Sequence, residues 1–320
     1  MEKLEVQIDS AEFQLDQLRA KDGTLVDTPT LHKLWADFGE FPSSYYVRKE
    51  EQMLWTVIKQ QIPSLDFVPV VILGSHGVGK SCFLMLLAVH LACVAHRKVL
   101  VIRRVKGNGR GEAVVLLNGP NSRAINLPFE NISRIRKTDG LLVLVDGFTE
   151  YEIRMSRHLK MFDILATSYQ YDRKENDPSQ LVVLPAWRYG GLEQYAQLNR
   201  AWLDAAGYAN MGNGATVKQL AAQQYALSGG SMRLFCMDRA QLMDRITMDF
   251  RRVAATQTFA LCTDFRTDPS ERLRRHYVLD PNNPDDYTST SAWFMSVDSA
   301  YVLKELERCL VPTENHLDFY

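Results

Sequence analysis

The chain has 320 residues, 46% hydrophobic and 23% charged, with a formal net charge of -1. That composition fits a folded chain large enough for one α/β domain or two smaller ones, and the near-zero charge excludes a global field that would draw nucleic acid or a membrane surface. Five cysteines, Cys82, Cys93, Cys236, Cys262 and Cys309, include no C-x-x-C pair, so neither a zinc site nor a disulfide framework is expected, and a reducing intracellular setting is.

Met1 to Glu5 lacks the basic start and apolar stretch of a secretory signal, so no export route is expected from it. Residues 1–45 read as a polar leader with a small helix around Leu31, Leu34, Trp35 and Phe38, closed by Gly39 and Pro42. From Tyr45 to Gln61 the apolar positions Tyr46, Leu54, Val57 and Ile58 recur at helical spacing, and Pro63 ends that helix. Val68 to Leu73 is a continuous apolar run rich in β-branched residues, the pattern of a buried strand. A glycine-rich loop follows, then a helix over Ser81–His96 and a strand over Lys98–Ile102. The longest apolar run, Cys82 to Ala95, is broken by His90 and too short for a bilayer, so no membrane contact and a soluble protein are expected.

Gly107 to Gly111 is a turn signal before the β-prone run Ala113–Leu117, which predicts a hairpin. Leu141 to Val145, ending in Asp146, is a further buried strand, followed by strands over Phe162–Ala166 and Leu181–Leu184 with helical material between Tyr151 and Met161. Strands alternating with helices predict an α/β fold with a mainly parallel, doubly wound sheet. After Trp187 the pattern turns helical: Leu192–Ala205, Val217–Leu227, Ser231–Thr247 and, past a polar loop at Asp280–Ser291, Val297–Leu310. The expected organisation is a leader at 1–45, a P-loop NTPase core at 46–190, and a helical lid with a C-terminal helical region at 191–320.

The loop Gly74-Ser75-His76-Gly77-Val78-Gly79-Lys80-Ser81 fits G-x-x-x-x-G-K-[ST] throughout. Gly77 and Gly79 allow the backbone to curl so that successive amides face phosphate oxygens. Lys80 brings charge to the β and γ phosphates, Ser81 offers a hydroxyl to Mg²⁺, and the helix beginning there aims its positive end at the nucleotide. Asp146, at the end of an apolar strand, is the expected second holder of the Mg²⁺ shell. Gly147 follows where many ATPases place the water-activating glutamate, and Glu150 is the candidate for that role; the plainer alternative is that Asp146 and Glu150 cap a helix.

Thr167 and Ser168 end a strand where a hydroxyl can sense the γ-phosphate or simply satisfy a turn. Ser228-Gly229-Gly230-Ser231-Met232-Arg233 opens a helix from which Arg233 is the candidate to reach the nucleotide. His76 occupies a variable loop position and takes no catalytic role. No N/T-K-x-D motif is present, and no D-x-x-G follows the phosphate strand, where Asp146 is followed by Gly-Phe-Thr, which favours ATP over GTP. The basic cluster Arg97, Lys98, Arg103, Arg104, Lys106 and Arg110 surrounds the predicted hairpin. It reads as a solvated face, as a contact for a host protein or nucleic-acid backbone, or as the source of an arginine acting in trans within a homo-oligomer.

Several stretches together resemble one family: Tyr45-Tyr46-Val47-Arg48 before the loop strand, Leu165 to Asp172 after the fourth strand, Pro185-Ala186-Trp187, and Tyr225 to Arg233. The series is similar to the NTPase region of Crinkler-type effectors of oomycetes and the related retrotransposon hot spot proteins, over residues 45–310. The resemblance implies an ATPase module with NACHT-like features, to whose motif positions Gly74 to Ser81, Asp146, Glu150 and Arg233 correspond. It also implies delivery into host cells, action in the nucleus, and a role in virulence. The chain departs from that pattern in lacking a leucine-rich translocation header and in leaving little room after the NTPase for a separate effector domain.

The expected activity is therefore slow Mg²⁺-dependent ATP hydrolysis. Two alternatives are a nucleotide-held switch without turnover and a nuclease built on Asp163 with Asp172-Arg173-Lys174.

Overall fold

The computed structural model describes residues 3–4, 15–18, 21–36, 38–39, 41–65, 67–104, 112–118, 124–126, 137–138, 140–168, 171, 173, 176–208, 214–251 and 272–310. The turn Gly107–Gly111, Lys106 and Arg110 of the basic cluster, and Asp172 and Lys174 of the nuclease pattern lie outside them.

The strands are β1 (Lys3–Leu4), β2 (Leu25–Asp27), β3 (Ser44–Tyr46), β4 (Val70–Leu73), β5 (Lys98–Arg104), β6 (Glu112–Asn118), β7 (Ala124–Asn126), β8 (Leu141–Asp146), β9 (Ile164–Ala166), β10 (Gln180–Val183), β11 (Arg275–Val278) and β12 (Trp293–Ser296). Eight of them form one sheet in the order β1-β7-β6-β5-β8-β9-β4-β10. The run from β5 to β10 is parallel throughout, while β6, β7 and β1 are added antiparallel at one side. The fold is α/β with a mostly parallel central sheet, compatible with a doubly wound arrangement. β4, β8 and β9 are buried along their whole length, which is why they read as unbroken apolar runs rather than alternating ones. The expected hairpin is present: β5 and β6 pair antiparallel from Lys98↔Asn118 to Arg104↔Glu112. Chain order changes direction at β4, whose neighbours are β9 on one side and β10 on the other. In open α/β sheets the carboxyl end of a strand at such a point is where ligands bind.

The helices are α1 (Leu15–Leu18), α2 (Pro29–Trp35), α3 (Lys49–Gln61), α4 (Lys80–Cys93), α5 (Glu150–Met155), α6 (Tyr189–Leu198), α7 (Ala201–Ala205), α8 (Val217–Ser228), α9 (Met232–Phe235), α10 (Arg239–Arg251) and α11 (Ala300–Leu310). α4 is buried from Phe83 to Cys93. Its polar interruption, His90, is used there: Nδ1 accepts the Leu15 amide at 3.3 Å and the ring meets Trp55 edge to face. α3 starts only at Lys49, because Tyr45 and Tyr46 pair as β3 with β2 instead of opening the helix. The long helix expected over Ser231–Thr247 is two, since the Asp238 carboxylate accepts the Ala240 and Gln241 amides and starts α10 afresh.

By contacts the chain divides into two units. One comprises residues 1–74, 79–184 and 278–292 and contains the main sheet; the other comprises residues 75–78, 185–277 and 293–320 and is mostly helical. The helical unit packs on Leu227, Leu242, Ile246, Leu273, Val302 and Leu306. The expected borders at 45 and 190 differ from these. Residues read as a polar leader belong to the sheet unit, because Leu31, Leu34, Trp35, Phe38 and Phe41 are each no more than 1% exposed and β1 pairs with β7. Spaced apolar residues among many charges concealed a tightly packed segment. Among the described residues no helix is long and apolar enough to cross a membrane.

Leu34→Ala is expected to lower the unfolding free energy by about 2–5 kcal/mol in denaturant titration. A loss below about 0.5 kcal/mol would mean that this segment is not part of the core.

Candidate functional site

β4 delivers the chain to Gly74, and α4 takes it up at Lys80 with Gly79 as N-cap, in the left-handed region at φ 111° and with no side-chain capping bond. Glycine brings no side chain that could cap the first turn of α4. In the sheet unit, Lys80 Nζ donates to the Gly74 carbonyl at 2.5 Å, folding the ammonium back over the start of the loop. Ser81 Oγ donates to Asp146 Oδ1 at 3.1 Å. Asp146 ends β8 and is 3% exposed, so a buried carboxylate and the hydroxyl at the head of α4 meet directly.

Residues 75–78 are held by the helical unit. The buried Ser75 has Oγ 2.9 Å from His276 Nδ1 and accepts the His276 amide at 2.9 Å. The next three carbonyls each accept a donor: His76 O from Ser231 Oγ at 3.2 Å, Gly77 O from the Arg233 amide at 3.1 Å, and Val78 O from Trp187 Nε1 at 3.0 Å. No peptide bond here is cis. A trans peptide sets the next N–H opposite its carbonyl, so the amides of Gly77, Val78 and Gly79 face away from those donors. Among the described residues none of the three amides donates to a protein group. Gly77, at φ 77°, is packed so closely that a Cβ there would lie 2.4 Å from Ser231 Oγ and 2.9 Å from Arg233 Cβ.

Arg233 therefore adjoins the loop through its backbone and Cβ, while the residue as a whole is exposed. The preceding glycines serve protein contacts: a Cβ on Gly230 would lie 2.4 Å from the Trp187 carbonyl, and one on Gly229 would lie 2.1 Å from Asp298 Oδ1. Asp298 Oδ2 accepts the Gly230 amide at 2.8 Å and the Tyr277 hydroxyl, and burial with that carboxylate raises the Tyr277 phenol.

The other sequence candidates fall elsewhere. Glu150 is the first residue of α5 and pairs with Arg154 one turn on, while Thr149 and Glu152 form the capping box. Thr167 Oγ1 donates to the Phe148 carbonyl at 3.1 Å, the turn-satisfying arrangement. Asp163 accepts the Val143 amide at 2.7 Å and Lys137 on its other oxygen, so its carboxylate ties the start of β9 to the interior of β8. Of the basic cluster, Arg103 is buried, paired with Asp146 Oδ2 at 2.9 Å. Arg104 pairs with Glu152 and lies over the Phe148 ring. Neither is a freely presented surface charge, which removes both from the expected basic face.

Arg103, Ser231, Trp187 and His276 carry no individual signal in the sequence that marks them as site residues. Ser231 and Trp187 stood inside stretches that carried the family resemblance, whereas Arg103 looked like one more surface charge, and His276 carried no motif. Glu51 was missed too. It is 7% exposed, its Oε1 lies 3.1 Å from where a Gly79 Cβ would be, and it takes the Tyr45 hydroxyl on Oε2 and Arg48 Nε at 3.4 Å on Oε1. Burial pushes its carboxyl up to about 7, against the pull of Arg48 and the Tyr45 hydroxyl.

These residues fit a nucleoside triphosphate with Mg²⁺ in two respects. The start of α4, with glycine as its N-cap, suits phosphate oxygens, as do amides turned away from the carbonyl donors, and Ser81 with Asp146 is an all-oxygen pair suited to Mg²⁺ completed by phosphate and water. Among the described residues no three His, Cys, Asp or Glu side chains converge to hold a metal by themselves. No family model matches the chain and no curated protein matches it.

Because the folded value of Glu51 lies above its ordinary 4.5, protonated Glu51 supports the fold fully below about pH 4.5, and that support is lost as pH rises through about 7. At about 1.36 kcal/mol per unit the change approaches about 3 kcal/mol. Glu51→Gln is expected to flatten this part of the stability–pH curve measured by denaturation. An unchanged slope would show that Glu51 ionises normally in the folded state.

Proposed function

We propose that the chain is a P-loop nucleoside triphosphatase that binds ATP with Mg²⁺, turns it over slowly and acts as a conformational switch. The observation that carries this reading is the set of three consecutive carbonyls, His76 to Val78, each taken by a donor so that the amides of Gly77 to Gly79 are turned the other way. Successive backbone amides turned one way can bind phosphate oxygens, as can a helix start, and Lys80 brings a charge to the latter. Ser81 and Asp146 hold Mg²⁺, which when bound offsets the negative charge developing on the phosphates. Binding to the loop is sensed by the unit that holds residues 75–78, with Arg233 at Gly77 as its candidate contact to phosphate. Absence of guanine motifs favours ATP.

The resemblance to Crinkler-type NTPase regions supports an effector-type setting, with delivery to a host cell, action in its nucleus and contact with a host protein or nucleic acid. A homo-oligomer follows if an arginine acts in trans.

Binding without turnover is favoured by one observation. Glu150, the candidate to orient water, pairs with Arg154 within α5, and a water-orienting role needs that pair to open.

Nucleotide affinity and Mg²⁺-dependent phosphate release would be measured for the wild type, Lys80→Ala and Glu150→Gln. Lys80→Ala is expected to weaken ATP binding at least about tenfold, the equivalent of about 1.4 kcal/mol. Glu150→Gln is expected to keep binding and lose release. Tight binding with no release in the wild type would leave the switch alone, and no nucleotide binding at all would remove the P-loop reading.

A further inference from the structure

Asp146 uses its two oxygens on different neighbours. Oδ1 takes the Ser81 hydroxyl at 3.1 Å, and Oδ2 takes Arg103 Nε at 2.9 Å. Arg103 and Asp146 are Cα partners across the parallel β5–β8 pair, so the sheet register itself sets them side by side. The two side chains are 7% and 5% exposed. An arginine stays charged when buried, and it requires a matched carboxylate there.

The guanidinium has no room to swing away. Nη1 donates to the Phe38 carbonyl at 2.9 Å and lies 2.7 Å from Met85 Sδ. Gly39, at φ 126°, is packed against the same group, and a Cβ on it would come within 2.3 Å of Nη1. All of these residues belong to the sheet unit. A buried ion pair adds little net stability compared with apolar packing, so its distinctive contribution is direction: it pins one carboxylate oxygen and leaves the other facing Ser81.

We propose that Arg103 is the positioning residue for the metal-holding Asp146, and that the turn at Phe38 and Gly39 is the brace that keeps Arg103 in place. The inference rests on the reading of Ser81 and Asp146 as the Mg²⁺ holders. It gives the N-terminal segment a role in metal binding: the segment sets the orientation of a carboxylate it does not touch.

The test is the affinity of a fluorescent ATP analogue in Mg²⁺ and in EDTA, for the wild type, Arg103→Met, Arg103→Lys and Gly39→Ala. Gly39→Ala displaces the guanidinium while keeping both charges, so it remains informative if Arg103→Met does not fold, as thermal melting would reveal. In Arg103→Met and Gly39→Ala the gain in affinity on adding Mg²⁺ is expected to fall by about tenfold or more, while affinity in EDTA stays within about twofold of the wild type. Arg103→Lys, which keeps the charge without the planar fork, is expected to restore part of the gain. A wild-type Mg²⁺ gain in Gly39→Ala and in folded Arg103→Met would overturn the proposal, as would equal losses with and without Mg²⁺. A wild type that binds no nucleotide would instead overturn the phosphate-loop reading beneath it.

Discussion

The loop from Gly74 to Ser81 must leave a strand buried on both faces, reverse through two left-handed glycines, and enter a helix that is itself buried. Each backbone carbonyl at its tip needs a hydrogen-bond donor, since an unpaired polar group in such surroundings costs roughly 1–3 kcal/mol. Ser231, the Arg233 amide and Trp187 Nε1 supply those donors in turn. That one requirement explains much of the helical unit's local design. Asp298 holds the Gly230 amide, which sets the start of the turn carrying Ser231 and Arg233, and the His276 backbone ties both Ser75 and Ala186. The loop tip is therefore framed by protein, an order that under the proposed function would lower the cost of binding an anion there.

The same economy governs the sheet unit. α4 is buried along almost its whole length, so its first turn rather than its sides is the polar part left for chemistry. Beneath that turn sits a buried acid, Glu51, packed on Gly79 and linked to Tyr45 and Arg48. Gly79 thus serves two constraints: a left-handed backbone, which glycine adopts readily, and a close approach from below that an added side chain would crowd.

How far this was legible in the sequence depends on whether a residue acts through its neighbours in the chain or through distant ones. The β4–loop–α4 unit, β8 ending in Asp146, and the β5–β6 hairpin announce themselves through apolar runs and glycine spacing, since their physics is local. Arg103 does not. In the sequence it belongs to a basic stretch, and only the β5–β8 register places it against Asp146. Asp163 is similar, an acid just before β9 whose carboxylate takes the Val143 amide within β8 and Lys137. The segment from Leu31 to Phe41 was hidden for a different reason. Its five buried side chains keep the spacing of a small helix, but spacing does not show that they are buried or that the Phe38 carbonyl meets Arg103, distant in sequence.

Glu150 shows why carboxylate chemistry is hard to read from position alone. The sequence D-G-F-T-E-Y-E offers three carboxylates, Asp146 at the end of β8 and two after it, and helix start rules divide the last two. Thr149 caps α5, Glu152 closes the box from the third helical position, and Glu150 stands in the first turn where the helix dipole favours a negative charge. Its pairing with Arg154 adds the short-range attraction expected of residues four apart on a helix. Both interactions favour a resting position on the helix. Asp146 has no such local use: it lies buried at the carboxyl end of a central strand, is held by a residue on the adjacent strand, and keeps an oxygen on the hydroxyl at the head of α4. Under the proposed ATPase reading, the metal-holding half would be built into the sheet, while the water-orienting half would depend on a first-turn side chain leaving a favourable pair. On that proposal the asymmetry favours binding over rapid turnover.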